Sequence, residues 1–311
     1  MNSELQKAAG ELPKQPQTAG SGGRPELISA GISIAQAFPI LVTPLVAQVG
    51  QRMRVLHDWG EAESLHKLRV ALRRLRSLWW AYESYLSRPE AKAQRREFKL
   101  LADAAGKTRD WDILMRVLVS DESMKLSLTS LIENVERCRA NALIGSRAAI
   151  DSAGVDRLLR RHVHELFDQL QAKVFDVTLA SFASKRVDAA ERALKERMRR
   201  ALVHQIPEYS ELHQLRIAGK KLRYLLEFFL PVLGSRSQKS IEILTGLQDD
   251  LGNLNDIVAS ETLLHRYATS LGDSTSLEQA MKYLSEQKAH HMQITYGTLH
   301  VVGDAYLRAG D

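Results

Sequence analysis

The chain has 311 residues, a hydrophobic fraction of 44% and a formal net charge of +6 at pH 7. The apolar content is ample for a packed core, as one large domain or two smaller ones. Cys138 is the only cysteine, which excludes an internal disulfide and a cysteine-based metal cluster.

The N-terminal segment is predicted to precede the folded domain. Residues 1–25 carry the sequence GSGG, prolines and mixed polar residues, a composition typical of a disordered leader. Residues 26–43 are interpreted as an apolar connector, with Thr43 as the N-cap and Pro44 as the first residue of a helix. We predict neither a transmembrane helix nor an export signal, because this stretch contains prolines and begins too late for a signal peptide. A peripheral apolar anchor is the alternative.

After Pro44, apolar residues recur at helical spacing and strand alternation is absent, which predicts an all-α fold. The first group of predicted helices covers residues 44–59, 63–86, 90–105, 110–119, 122–148 and 153–173. After a joint at 174–185, a second group covers residues 187–205, 209–230, 236–251, 254–271, 275–293 and 295–308.

One of these helices occurs twice. Residues 65–82, LHKLRVALRRLRSLWWAY, align without a gap with residues 212–229, LHQLRIAGKKLRYLLEFF. At about 100° per residue, one half of each helix is apolar and the other half is cationic. A core helix would need to repeat only its apolar residues, yet the histidine and the cations repeat as well. The repeated positive charge therefore favours a polyanionic partner.

A second repeat lies downstream of the basic helices. Residues 101–110 align with residues 247–256, and both segments contain a glycine followed four residues later by an aspartate. The glycines are predicted to cap a helix in the left-handed conformation, and the aspartates are predicted to be the N-cap of the next helix. Each half then forms a four-helix bundle, over residues 44–173 and 174–308, and the two halves form one compact domain. We expect an approximate twofold relation, with both basic helices facing one central groove or pore.

The pattern LHxLRxAxxxLRxL in both halves, followed by the Gly-x-x-x-Asp corner, resembles the CHAD family, the conserved histidine α-helical domain. The resemblance covers about residues 44–305. It implies two four-helix bundles with internal symmetry, a basic central cavity and binding of inorganic polyphosphate. The residues that it implies as ligands are His66, Arg69, Arg73, Arg74, Arg76, His213, Arg216, Lys220, Lys221 and Arg223. Arg52 and Arg197 border the apolar arc of their helices and are added as candidates.

The chemistry of these residues suits polyphosphate. Cations at i, i+3 and i+4 lie about 5–6 Å apart along a helix face, which is close to the repeat of a phosphate chain. Arginine grips phosphate oxygens with a planar fork, and lysine supplies a compact charge. We therefore predict a cytoplasmic, non-enzymatic module that targets or scaffolds at polyphosphate deposits or granules, with no catalytic residue, cofactor or metal site.

Two alternatives come from other classes of protein. Basic helices also suit a nucleic-acid-binding protein, although interleaved exposed aromatic residues are missing. A metal-dependent phosphohydrolase would use His66 and His213, although neither has a carboxylate at ligand spacing. A further cationic face at residues 157–164 is interpreted as solvated or paired with acids.

Overall fold

The computed structural model of the protein describes residues 28–59, 62–172, 177–203, 207–272 and 274–308. The predicted leader, residues 1–25, lies outside the described residues. Within them the secondary structure is α-helical, with one 3-10 turn at Glu83–Tyr85 and one isolated β-bridge. The all-α prediction is therefore confirmed.

The described residues form eleven α-helices, which we number in chain order. The first seven are α1 (Ile34–Trp59), α2 (Ala62–Tyr82), α3 (Arg88–Ala104), α4 (Lys107–Val119), α5 (Glu122–Ser127), α6 (Thr129–Ser152) and α7 (Val155–Ala172). The remaining four are α8 (Leu179–Val203), α9 (Tyr209–Leu233), α10 (Ser235–Leu271) and α11 (Ser274–Arg308). The repeated basic segments are thus α2 and α9.

The first helix begins earlier than predicted. It starts at Ile34, and both Pro39 and Pro44 lie inside it, so residues 34–43 are helix and not connector. A proline inside a helix removes one hydrogen bond and costs stability. Here the apolar face of the same turns, including Phe38, is fully buried in the core, which offsets that cost.

The predicted corner exists in the first half only. Helix α3 ends at Ala104 and α4 begins at Lys107, but Gly106 has a right-handed conformation, with φ of −89°. Asp110 lies in the first turn of α4 and is not its N-cap. In the second half, α10 runs without a break through Gly252, so the prediction of a corner there is wrong.

The unbroken α10 takes the place that α3 and α4 share in the first half. A glycine inside a helix costs about 1 kcal/mol relative to alanine. Packing outweighs this penalty, because α10 lies against α4, α9 and α11 and buries an apolar stripe on both sides of the glycine. Helix α11 likewise continues through the break predicted between residues 293 and 295.

The two basic helices are held by their apolar halves. Helix α2 lies against α1, α3, α4 and α9, and α9 lies against α8, α10 and α2. Leu68, Leu75 and Leu215 are completely buried in a core that includes residues from both halves. A second, smaller core forms between α4, α5, α6, α10 and α11, around Trp111 and Leu264. The cationic halves of α2 and α9 are therefore fixed in direction.

The starts of α1 and α8 are joined by backbone hydrogen bonds around the Ser33–Thr178 bridge. The amide of Ile34 donates to the carbonyl of Val177 at 3.2 Å, and the amide of Leu179 donates to the carbonyl of Ile32 at 2.8 Å. In these two bonds each half contributes one donor and one acceptor, in equivalent positions, and the amide of Ala180 adds a third bond to the carbonyl of Ala30 at 3.1 Å.

Among the described residues, one helical segment, Ile34–His57 of α1, has the length and composition that a membrane span requires. In its most apolar window 39% of the residues are buried inside the protein, and core helices of soluble proteins meet the same criterion. The absence of a transmembrane segment stays a prediction.

The core packing can be tested with Leu75→Ala and the control Leu126→Ala. Leu75 is completely buried in α2, whereas Leu126 is 77% exposed. We expect L75A to lower the free energy of unfolding by about 2–5 kcal/mol, because it removes buried methyl groups and leaves a cavity. The control should change it by less than about 0.5 kcal/mol in urea unfolding followed by circular dichroism. Equal losses in the two variants would contradict the burial of the apolar half of α2.

Candidate functional site

A cavity of about 920 Å³ lies between α2 and α9 and is completed by side chains of α3, α4 and α10. Its volume is at the upper end of the range for ligand sites in proteins. Because the apolar halves of α2 and α9 are buried in the core, their polar halves face this cavity. We call it the interhelical cavity.

The lining of the interhelical cavity is strongly cationic. Eleven lysine and arginine side chains contribute to it, against four aspartates. The cations are Arg69, Arg73, Arg76, Arg95, Lys99, Arg109, Arg116, Arg216, Lys220, Lys221 and Arg223. The aspartates are Asp103, Asp110, Asp249 and Asp256.

Nine of the twelve residues predicted from sequence are brought together in the cavity. They are His66, Arg69, Arg73, Arg76, His213, Arg216, Lys220, Lys221 and Arg223. Arg74 lies outside, where its Nη2 is 3.4 Å from Glu227 Oε2 and its guanidinium lies 6.0 Å from the ring centre of Phe228. Arg52 and Arg197 are half-buried on α1 and α8, which contribute no residue to the lining. A binding role for these three arginines stays a prediction.

Sequence reasoning missed the cations that α3 and α4 contribute. Arg95 and Lys99 lie one turn apart on α3, and Arg109 and Arg116 lie two turns apart on α4. The spacing of each pair places both side chains on one face of its helix, and this pattern is visible in the sequence. These cations are not repeated, since the second half has none at the positions equivalent to Arg95 and Lys99, and the repeat therefore does not reveal them.

Most of the cavity cations form no ion pair with a carboxylate of the described residues. Three of them form ion pairs: Arg95 with Glu83 at 3.4 Å, Arg116 with Asp256 at 2.9 Å and Arg223 with Glu227 at 2.9 Å. For the other eight, no carboxylate of the described residues lies within 4.0 Å. These are Arg69, Arg73, Arg76, Lys99, Arg109, Arg216, Lys220 and Lys221. The cavity is therefore a concentrated and largely uncompensated positive field.

The cationic face of α7 provides a contrast. Arg161 Nη2 lies 2.7 Å from Glu97, and His164 Nε2 lies 3.2 Å from Asp168. The interpretation of an acid-paired face is confirmed for these two side chains. Uncompensated charge is therefore a property of the cavity and not of every basic helix face in this protein.

Burial and mutual repulsion alter the basicity of the cavity lysines. Burial, assisted by Arg73 and Arg216, lowers the pKa of the Lys220 ammonium to about 6. Burial and then Arg186 lower the pKa of Lys221 to about 8. Burial also lowers the guanidinium pKa of the arginines at 69, 76 and 216, and their neighbour Arg73 adds to the effect. The protein alone therefore disfavours positive charge in the cavity.

The two repeated histidines have different surroundings. Burial and then the nearby Arg109 lower the pKa of His66, so its imidazole is neutral at pH 7. His213 Nδ1 lies 3.1 Å from Asn255 Oδ1, an amide oxygen that accepts hydrogen bonds only, so a hydrogen bond between them needs a proton on Nδ1. The Tyr209 hydroxyl donates to the same oxygen at 3.3 Å.

Position 106 must be glycine because the guanidinium of Arg69 occupies the space that a larger side chain would fill. Arg69 Nη1 donates to the carbonyl of Ala102 at 3.0 Å, and a methyl group at position 106 would collide with the same guanidinium nitrogen. It would also lie 3.1 Å from the carbonyl oxygen of Ala102. In the second half, an added Cβ at Gly252 has no atom within 4 Å. The repeated glycine therefore permits close approach of a side chain in one half only.

Two cation contacts at the α2–α9 junction are reciprocal. Lys221 Nζ lies 3.0 Å from the ring centre of Trp80, and Arg74 pairs with Glu227. Lys221 is the repeat equivalent of Arg74, and Glu227 is the repeat equivalent of Trp80. Arg186 covers the ring of Trp80 at 4.2 Å.

No group of three or more histidine, cysteine, aspartate or glutamate side chains in the described residues is arranged to hold a metal ion. The predictions of no metal, no cofactor and no catalysis stay predictions.

Comparisons with known proteins identify both the sequence family and the fold. Residues 41–265 match the family model of the CHAD domain. The crystal structure of the CHAD domain from the plant Ricinus communis superposes with a TM-score of 0.76 and 23% identity, covering 93% of this chain and 97% of that chain. PptA from Streptomyces chartreusis superposes with a TM-score of 0.59 and 14% identity, covering 88% and 99%. Both are similar in fold. No curated protein sequence matches the chain.

The two repeat-equivalent glycines allow a matched test of the Arg69 packing. We expect Gly106→Ala to lower the free energy of unfolding by about 1–2 kcal/mol, since it displaces the Arg69 guanidinium from the Ala102 carbonyl. Gly252→Ala fills open space inside a helix and should raise it by about 0.5–1 kcal/mol. Urea unfolding measures both values, and a shift of the same sign in the two variants would contradict this assignment.

Proposed function

The chain belongs to the CHAD domain family, and we propose that it binds inorganic polyphosphate in the interhelical cavity without catalysing a reaction on it. The observation that carries the proposal is the set of eight cavity cations that lack a carboxylate partner among the described residues. Such a set is stabilised by an external polyanion, which supplies the missing counter-charge.

The arrangement of the cations favours a linear anion. Arg69, Arg73 and Arg76 follow one face of α2, and the equivalent positions of α9 carry two arginines and a lysine that line the same cavity. Neighbours at i, i+3 and i+4 are about 5–6 Å apart on a helix. A phosphate chain that enters between the helices would therefore meet guanidinium groups on both sides at intervals close to its own repeat. Each charged contact contributes about 1.5–3 kcal/mol when partly desolvated.

A duplex nucleic acid suits this geometry less well. The uncompensated cations line a cavity between helices, whereas a duplex is too wide to enter a space of about 920 Å³. Duplex recognition uses helices or ribbons that project into a groove. A single unbranched chain of phosphates is the polyanion that matches a recessed site.

The proposal includes the relation between the two halves. We infer that they arose by duplication and are related by an approximate twofold axis, with the cavity between the two bundles as a basic pore. The hydrogen bonds around Ser33 and Thr178 support this, because donor and acceptor exchange when the halves are exchanged. The reciprocal contacts of Lys221 and Arg74 have the same property. In the cell, this module would act as a targeting or scaffolding element at cytoplasmic polyphosphate deposits.

Charge reversal tests the cavity directly. Arg73→Glu and Lys220→Glu each place a carboxylate where the chain of phosphates would lie. Both should weaken polyphosphate binding at least about tenfold, the loss expected from one charged contact. The control Arg160→Glu reverses a charge at an exposed position of α7, outside the cavity, and should change affinity less than about twofold. Fluorescence anisotropy with labelled chains of defined length measures the affinities.

The same assay tests the nature of the ligand. Affinity should rise with chain length and fall steeply with salt, and the two cavity variants should show a shallower salt dependence. Unlabelled long polyphosphate should displace the probe at far lower phosphate concentration than duplex DNA does. Equal displacement by DNA, or full affinity in both cavity variants, would overturn the proposal.

The cavity lysines predict the pH dependence of binding. In the unliganded protein the pKa of Lys220 is about 6, so its amine is mostly neutral at pH 7.5. A bound polyanion favours the ammonium form, so binding takes up protons and affinity should fall as pH rises from 6 to 8. Calorimetry at pH 7.5 in buffers of different ionisation enthalpy should detect net proton uptake. Lys220→Arg, which keeps its charge, should take up fewer protons than the unchanged protein. Undiminished uptake in that variant would contradict the role of Lys220.

A further inference from the structure

Lys220 is a half-buried amine surrounded by cations. Arg73 reaches toward it from α2, and Arg216 and Arg223 flank it on its own helix. Asp256 of α10 is the acid that acts on it, but it lies beyond ion-pair distance and is itself paired with Arg116. No other side chain of the described residues forms a hydrogen bond or ion pair with Lys220.

The other lysines that line the cavity differ from Lys220. Lys99 is exposed to solvent. Lys221 lies 3.0 Å from the ring centre of Trp80, which stabilises its charged form and covers its amine. Outside the lining, Lys67 on α2 is half-exposed and paired with Glu63 at 3.5 Å. Lys220 is thus the cavity lysine that combines shelter from solvent with a partner-free amine.

A neutral amine is a nucleophile, whereas an ammonium group is not. The pKa of about 6 leaves most Lys220 side chains unprotonated at pH 7.5. An ordinary exposed lysine, with a pKa near 10.4, is unprotonated in only about one molecule in a thousand at that pH. The lower basicity of Lys220 offsets part of this advantage, because nucleophilicity falls as pKa falls.

We propose that Lys220 is a site of covalent acylation by small acyl phosphates. Arg73, Arg216 and Arg223 bind the phosphate group of the reagent and place its carbonyl carbon beside Lys220 Nζ. Nζ attacks that carbon, the bond between the carbon and the phosphate oxygen breaks, and an amide forms. The proton that Nζ loses leaves with the departing phosphate, so no oxidant, reductant or further reactant is needed. The inference shares with the proposed function the premise that these guanidinium groups bind phosphate.

Acylation would regulate the cavity. The product is an uncharged and longer side chain in the wall where polyphosphate is proposed to bind, so the modification lowers affinity for the polyanion. Conversely, a bound polyanion favours the ammonium form of Lys220, which takes its proton from the solvent, and covers the side chain, so it protects Lys220 from the reaction. Acylation of Lys220 and binding of the polyanion therefore oppose each other.

The test is a time course of the full-length protein with acetyl phosphate at pH 7.5, analysed by peptide mass spectrometry. Acetylation of Lys220 should be faster than that of Lys67 by more than about tenfold, because the balance of neutral fraction against nucleophilicity gives about tenfold and binding of the phosphate group by the arginines adds to it. Tripolyphosphate should suppress the reaction at Lys220 and leave Lys67 unaffected. Equal rates at the two lysines, or no protection by a polyphosphate that the unmodified protein binds, would overturn the inference.

A neutral reagent separates phosphate recognition from simple reactivity. The succinimidyl ester of acetic acid carries no phosphate, so its preference for Lys220 over Lys67 should be severalfold smaller than that of acetyl phosphate. The same preference with both reagents would overturn the role of the arginines. As a further control, the polyphosphate affinity of each protein is measured before and after treatment with acetyl phosphate. The treatment should lower the affinity of the unchanged protein and should not alter the affinity of the Lys220→Arg variant.

The outcome for Lys220 and the outcome for polyphosphate are separable. Polyphosphate binding is measured on unmodified protein. Binding without selective acetylation rejects the inference alone, whereas selective acetylation without polyphosphate binding rejects the proposed function alone.

Discussion

The central constraint in this protein is that like charges are held close together while most of them form no ion pair with a carboxylate of the described residues. Eight cations of the interhelical cavity have no carboxylate of the described residues within 4.0 Å, and burial makes their mutual repulsion stronger than it would be in water. The two basic helices do not relieve the repulsion by turning outward, because Leu68, Leu75 and Leu215 on their opposite halves are fully buried. The hydrophobic core therefore supports a charge arrangement that is unfavourable without a ligand. Burial first, and then repulsion by Arg73 and Arg216, lowers the pKa of Lys220 in this arrangement.

The reuse of one helix explains how a single sequence pattern can build both walls of a site. A helix that is apolar on one half and cationic on the other presents only one row of charge. Two such helices with their apolar halves in a common core present two rows toward each other. The contacts at the α2–α9 junction then occur in equivalent pairs, as the Lys221–Trp80 and Arg74–Glu227 contacts do.

Some repeat-equivalent positions make different contacts in the two halves, and these positions show how the two walls of the cavity differ. Glu227 neutralises Arg74, whereas Trp80 leaves Lys221 charged and in the cavity. Gly106 makes room for Arg69, while Gly252 lies within an unbroken helix with open space beside it. The first half also supplies the cations of α3 and α4, so the cavity is more strongly basic on that side. Because a phosphate chain is uniform along its length, walls of unequal charge are compatible with the polyphosphate binding that we propose.

The amino-acid sequence by itself determined the all-α fold, the repeat and nine of the twelve residues predicted for the site. These are local properties, since helical periodicity and the direction of a side chain around a helix follow from spacing alone. Only the tertiary structure decided that α1 begins at Ile34 and that α10 passes through Gly252, because burial of apolar faces outweighed the local signals of proline and glycine. It also placed Arg74 outside the cavity and brought the cations of α3 into it. Which charges meet across a space, and which are neutralised, depends on residues far apart in the chain, and no single segment contains that information.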